Sequence, residues 1–179
     1  MNQMNPYLAT GILSAALLCA GGAFFAPGFR GRAFSFLRSQ NAAYLFCGAA
    51  LLWFMWILYN LSEADFGQYK FILMAVFGGA GILAFRHLPD FLPVRGLSVI
   101  ILLFMRVLLD ALYGMPAQSR LVSVSLAYVL VVAFVYFGCL PFRMRDFFEW
   151  LYERPVRVRA FAASLCLAGA VAAGSMLFY

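Results

Sequence analysis

Six apolar stretches follow one another along this chain, each close to the roughly 20 residues that carry an α-helix across a hydrocarbon core about 30 Å thick. They cover residues 7–26, 42–61, 68–85, 93–113, 121–140 and 158–179, with short polar connections between them. Lipid offers no hydrogen bonds to stray backbone groups, so segments of this kind cross it as helices. Composition agrees: 65% of residues are hydrophobic and 11% charged, with a mean hydropathy of +0.91, against about 25% charged in soluble domains. The expectation is an all-α integral membrane protein with six transmembrane helices, residues 1–179 forming a single polytopic domain. The opening "MNQMNPY" has no Lys or Arg, so the first segment reads as a retained helix rather than a secretory signal.

The basic residues predict an orientation. Arg30, Arg32 and Arg38 fall between segments one and two, Arg86 and Arg95 flank the turn between three and four, and Arg143, Arg145, Arg154, Arg157 and Arg159 lie around the connection between five and six. If the helices alternate, all of these share one side, and only Lys70 and Arg120 belong to the other. The positive-inside rule makes the arginine-rich side cytoplasmic and puts both termini outside, as in a bacterial inner-membrane protein. Tyr7, Trp56, Tyr59, Tyr69, Tyr113 and Tyr179 fall at predicted outer helix ends, and Trp150 and Tyr152 at the inner face, where aromatic rings with a polar tip are expected. The net charge of +6 is then a topology signal and a surface for anionic lipid headgroups, not a nucleic-acid footprint.

Two of the basic connections are longer than a turn needs. In residues 141–155, Met144, Phe147, Phe148 and Leu151 share one helical face while Arg143, Arg145, Asp146, Glu149 and Glu153 lie largely elsewhere. In residues 27–41, Phe29, Ala33, Phe36 and Leu37 do the same opposite Arg30, Arg32 and Arg38. Both are expected to lie as amphipathic helices flat on the cytoplasmic membrane surface. Aligning Pro27 with Pro141 brings Phe34 to Phe148, Phe36 to Trp150 and Leu37 to Leu151. That would be a parallel repeat, although two hairpins with interfacial connectors resemble one another without common origin.

Packing signals outnumber chemical ones. Gly11, Ala15, Cys19 and Ala23 make a small-residue ladder in the first segment, Ser164, Ala168 and Ala172 in the last, and Ala75 with Gly79 begins a third. Small residues let helix backbones approach closely, inside the chain or against a partner. No metal site or cofactor is expected. His87 is the one histidine, an interfacial titratable group with Asp90 nearby, and it lacks the partners a haem, zinc or nucleophile site requires. Cys19, Cys47, Cys139 and Cys166 sit in apolar segments without C-x-x-C spacing and read as packing residues. The "FGGAG" stretch lacks the Lys-Ser/Thr of a phosphate loop.

The exception is "LLFMRVLLDALYG", Leu102–Gly114, which puts Arg106 and Asp110 inside an apolar segment. One helical turn apart, they can pair. Counting from Pro93, Arg106 lies about 20 Å across and Asp110 about 26 Å. Arg before Asp is the weaker order for such a pair, and a carboxylate near a helix C-terminus opposes the dipole. A second cation would relieve that, and Lys70, across the hairpin, is the candidate. The pair reads either as a structural ion pair or as part of an ion or solute path.

The leading expectation is a non-catalytic accessory, scaffolding or assembly element of a membrane complex, partnered by lipid and by a membrane protein or further copies of itself. A small transporter or channel using Arg106 and Asp110 is the alternative. An enzyme acting on lipid headgroups at the cytoplasmic interface comes third.

Overall fold

The computed structural model describes residues 4–62, 66–87 and 91–178. Among these residues it is all-helical, with eight α-helices: α1 (Pro6–Phe25), α2 (Phe29–Arg38), α3 (Gln40–Tyr59), α4 (Lys70–His87), α5 (Leu92–Leu112), α6 (Ala117–Cys139), α7 (Phe142–Tyr152) and α8 (Pro155–Ser175). Six of them, all but α2 and α7, are long and apolar enough to cross a membrane.

Local chemistry sets the breaks. Ala26 is extended, as a residue before proline prefers, and Gly28 takes φ 83° before α2 starts. The Ser39 hydroxyl accepts from the Ala42 N–H at 3.2 Å and opens α3. Pro155 was expected to close the second amphipathic segment; instead it sits in the first turn of α8, where its missing N–H costs nothing. α8 therefore begins three residues before the predicted boundary and carries Arg157 and Arg159 in its opening turns.

α1, α5, α6 and α8 surround the main core, in which Ala9, Leu13, Leu17, Met105, Leu108, Leu112 and Ala127 are buried. α3 lies against α5, and α4 lies outside α3. At one end a second cluster joins α2, α7 and the start of α5, with Ala33, Leu37, Val94 and Phe148 buried and Phe24, Phe91 and Phe137 packed around them. The start of α3 and the end of α4 meet at that end too, where Tyr44 stacks on Phe85 with ring centroids 5.6 Å apart. α2 and α7, with their arginines, thus share one end of the bundle with the start of α5, the start of α3 and the end of α4.

The apolar faces of α2 and α7 are used differently from the expectation. They turn onto the bundle and onto each other rather than lying free, with the Phe34 and Phe148 rings 6.2 Å apart. These are equivalent positions in the proposed repeat, but the likeness ends there. α1 packs along α8, whereas α6 and α3, which the repeat would pair, share no extended packing.

Close helix approach depends on three glycines. A Cβ at Gly21 would lie 2.5 Å from Cys166 Sγ and 2.9 Å from the Ala162 carbonyl oxygen; one at Gly169 would meet Leu18 Cγ at 2.9 Å and the Ser14 carbonyl oxygen at 3.0 Å. One at Gly96 would meet the Cys47 nitrogen at 2.6 Å. The Cys47 thiol donates to the Leu92 carbonyl oxygen at 3.2 Å, tying α3 to α5 beside that contact.

The predicted ladders are only partly the contact faces. Gly11 lies near Met176, Ala168 packs on the main core and Ala172 is buried, but Ala15, Cys19, Ala75 and Ser164 are exposed, Ala23 is half-buried and nothing approaches Gly79. α1 buries Ala9, Thr10, Leu13, Ser14, Leu17 and Gly21 instead. Replacing Gly96 by Ala should cost about 1–3 kcal/mol, because backbone rather than a flexible side chain opposes the new methyl. Gly79→Ala, with open space around it, should stay within about 0.5 kcal/mol; reversible unfolding in detergent micelles measures both.

Candidate functional site

Charge collects in two places. Toward the end opposite α2 and α7, Arg106 Nε and Asp110 Oδ2 are 3.9 Å apart, with side chains 49% and 57% exposed. They share the outward side of α5 with Val99 and Tyr113, while Met105, Leu108, Ala111 and Leu112 of the same helix face the core. Fourteen residues into α5, Arg106 lies about 21 Å from its start and about 9 Å from its end. The pair therefore points away from the bundle interior, toward whatever surrounds the helix.

Lys70 does not join them. Its ammonium lies over the Tyr59 ring at 5.5 Å and the Phe71 ring at 5.4 Å, and α4 packs on α3 rather than α5. Arg120 takes the helix-end role that a cation could have had there: its Nη1 donates to the Tyr113 carbonyl oxygen at 2.8 Å, beyond the C-terminal turn of α5.

The arginine-rich end holds a cleft of about 620 Å³. Phe34, Ser35, Leu37 and Arg38 of α2 line it, with Phe91 at the start of α5 and Arg145 and Glu149 of α7. Leu37 is buried and gives the cleft an apolar floor, while Ser35 and Arg38 are exposed at its rim. Arg145 forms the predicted pair with Glu149, Nε to Oε1 at 3.4 Å, and also reaches Asp146 at 3.5 Å. Arg38 has no ion pair or hydrogen bond among the described residues.

Nearby, Arg157 fastens α7 to α8. Its Nη1 donates to the Trp150 carbonyl oxygen at 2.9 Å and to Glu153, and its guanidinium lies 4.6 Å from the Trp150 ring centroid. Burial pushes the Tyr152 phenol up from its ordinary range, opposed by the positive charge of Arg30.

The cleft is what sequence reading missed. Each wall was visible as an amphipathic helix after a proline, but no local pattern says that two helices more than a hundred residues apart will face each other. Asp90 and the His87 side chain, read as an interfacial titratable pair, lie outside the described residues. Among the described residues no three His, Cys, Asp or Glu side chains gather as a metal site would need, and the four cysteines are free.

Asp110→Asn should change the stability of the isolated, detergent-solubilised chain by less than about 0.5 kcal/mol, because the pair is long and half exposed. Arg157→Ala, which removes a carbonyl cap, a ring contact and an ion pair together, should cost about 1–2 kcal/mol by the same unfolding measurement. No protein-family model, curated protein or solved structure matches the chain.

Proposed function

We propose that this protein is a non-catalytic, polytopic accessory or assembly element of a membrane complex, docking to another membrane protein through the outward side of α5. In this reading it resides in a bacterial cytoplasmic membrane, with the arginine-rich end cytoplasmic among anionic headgroups and both termini outside.

The observation that carries the reading is the outward-facing, half-exposed Arg106–Asp110 pair. At the bilayer centre each charge would cost about 2.5–3.5 kcal/mol, and although Arg106 is near enough to one end to reach the interface, an ion pair turned to lipid gains nothing from its position. A partner helix bringing polar groups to this face would satisfy both charges. The uncovered apolar surface of α4, with Phe71, Ile72, Val76 and Phe77 exposed, is as compatible with lipid as with protein and adds no weight either way.

A conducting path is less well supported. The cleft lies at the end away from Arg106, and three buried hydroxyls inside the bundle serve local bonds: Ser14 donates to Gly11, Ser98 to Val94 and Ser175 to Ala172, each to a carbonyl of its own helix, while Ser123 and Ser175 bond each other. Such hydroxyls relieve their own burial cost rather than line a route.

Gentle extraction of the tagged protein from its own membrane, followed by native mass spectrometry, tests the proposal. The expected result is a stoichiometric membrane-protein partner whose retention falls at least tenfold in the Arg106→Gln/Asp110→Asn double variant. A chain recovered alone, or a partner retained equally by the double variant, would overturn docking through α5.

A further inference from the structure

The buried side-chain nitrogen and oxygen atoms without a hydrogen-bond partner among the described residues are Arg95 Nε, Arg145 Nε and the Tyr152 hydroxyl. All belong to the arginine-rich end, and all can donate. Arg145 Nε has Glu149 Oε1 as an ion-pair partner 3.4 Å away, so the donors left with no acceptor are Arg95 Nε and the Tyr152 hydroxyl, and an unsatisfied buried donor costs about 1–3 kcal/mol. Arg95 lies four residues after Phe91, a wall of the cleft, without itself lining it. Arg145 lines the cleft itself, and Tyr152 packs on Phe34, another of its walls.

The charges of the cleft point the same way. Arg38 and Arg145 are the cations of the lining and Glu149 its anion; with Glu149 and Asp146 both against Arg145, the cation left without a counter-charge among the described residues is Arg38, at the exposed rim. Beneath these polar groups lie Phe34, Leu37 and Phe91. Basic donors over an apolar floor, where two amphipathic helices close one end of the bundle, suit an amphiphile better than a free ion. The volume is that of an ordinary small-ligand pocket.

We propose that the cleft between α2 and α7 is a binding site for one anionic phospholipid, its phosphodiester taken by Arg38 with Arg145 and Ser35 and the start of its chains laid on Phe34, Leu37 and Phe91. The site rests on the membrane reading but not on a protein partner at α5, which lies toward the opposite end. Arginine suits this role because its planar fork matches two phosphate oxygens at once. A zwitterionic headgroup would bring its own cation beside the unpaired Arg38.

Delipidated protein titrated with short-chain phosphatidylglycerol, short-chain phosphatidylcholine or inorganic phosphate, and read by native mass spectrometry, tests this. One phosphatidylglycerol should bind, at least tenfold more tightly than phosphatidylcholine, and millimolar phosphate should not displace it. Arg38→Gln/Arg145→Gln should weaken it at least tenfold, while Arg32→Gln/Arg143→Gln, which removes the same charge from the same two helices outside the cleft, should change it less than twofold. Ser35→Trp, filling the cleft without altering charge, should abolish binding and decides the matter if the Arg38/Arg145 variant does not fold. Equal weakening by both arginine pairs, binding that survives Ser35→Trp, or no preference over phosphatidylcholine would overturn the proposal. Displacement by phosphate would mark a phosphate site and overturn the lipid assignment.

Discussion

The contact of α5 with α3 at Gly96 is the constraint on which the architecture leans. α5 touches α1, α2, α3 and α6, and it lies this close to α3 only because no side chain intervenes between Gly96 and the Cys47 backbone. The Cys47 thiol bond to Leu92 then fixes the depth at which the two helices meet. Between apolar helices in lipid, burying another methyl group gains little, so association relies on such close packing and on the occasional interhelical hydrogen bond. The α1–α8 contact uses the same device twice, at Gly21 and Gly169.

Placing α5 in this way has consequences at both of its ends. Its first turn, with Val94 fully buried, becomes the post against which α2 and α7 close. That closure converts two amphipathic segments, each able to lie on a membrane alone, into the two walls of a cleft. Toward its last turn, the helix sides toward α1, α3 and α6 are occupied, and the remaining side carries Arg106, Asp110 and Tyr113 outward. One helix thus ties a basic cleft at one end to an exposed ion pair near the other.

The polar groups of the bundle divide by location. Hydroxyls inside bond mostly to their own helices, and the Ser123–Ser175 contact at 3.2 Å is a cross-helix bond between α6 and α8. Arginines at the ends cap carbonyls, as Arg120 and Arg157 do, or pair with nearby carboxylates. Arg38 does neither, and among the described residues nor do Arg30, Arg32, Arg154 and Arg159.

What the sequence determined by itself was whatever depends on neighbours along the chain. Runs of apolar residues near 20 long specify six helices long and apolar enough to cross a membrane, and prolines and Ser39 specify where helices break. Only the tertiary structure decided which side of each helix faces inward. In α1, α4, α6 and α8 almost every side is apolar, so no polar face marks the outside. The small-residue ladder of α1 accordingly lies mostly off the stripe that α1 buries within the chain, although α5, with Arg106 and Asp110 on one side, was legible. Lys70 was placed beside Asp110 on hairpin adjacency, but α3 rather than α5 turned out to be the neighbour of α4. The cleft was out of reach for the same reason: its walls come from residues 34–38, 91 and 145–149, and what brings them together is the packing of helices distant in sequence, which no local periodicity encodes.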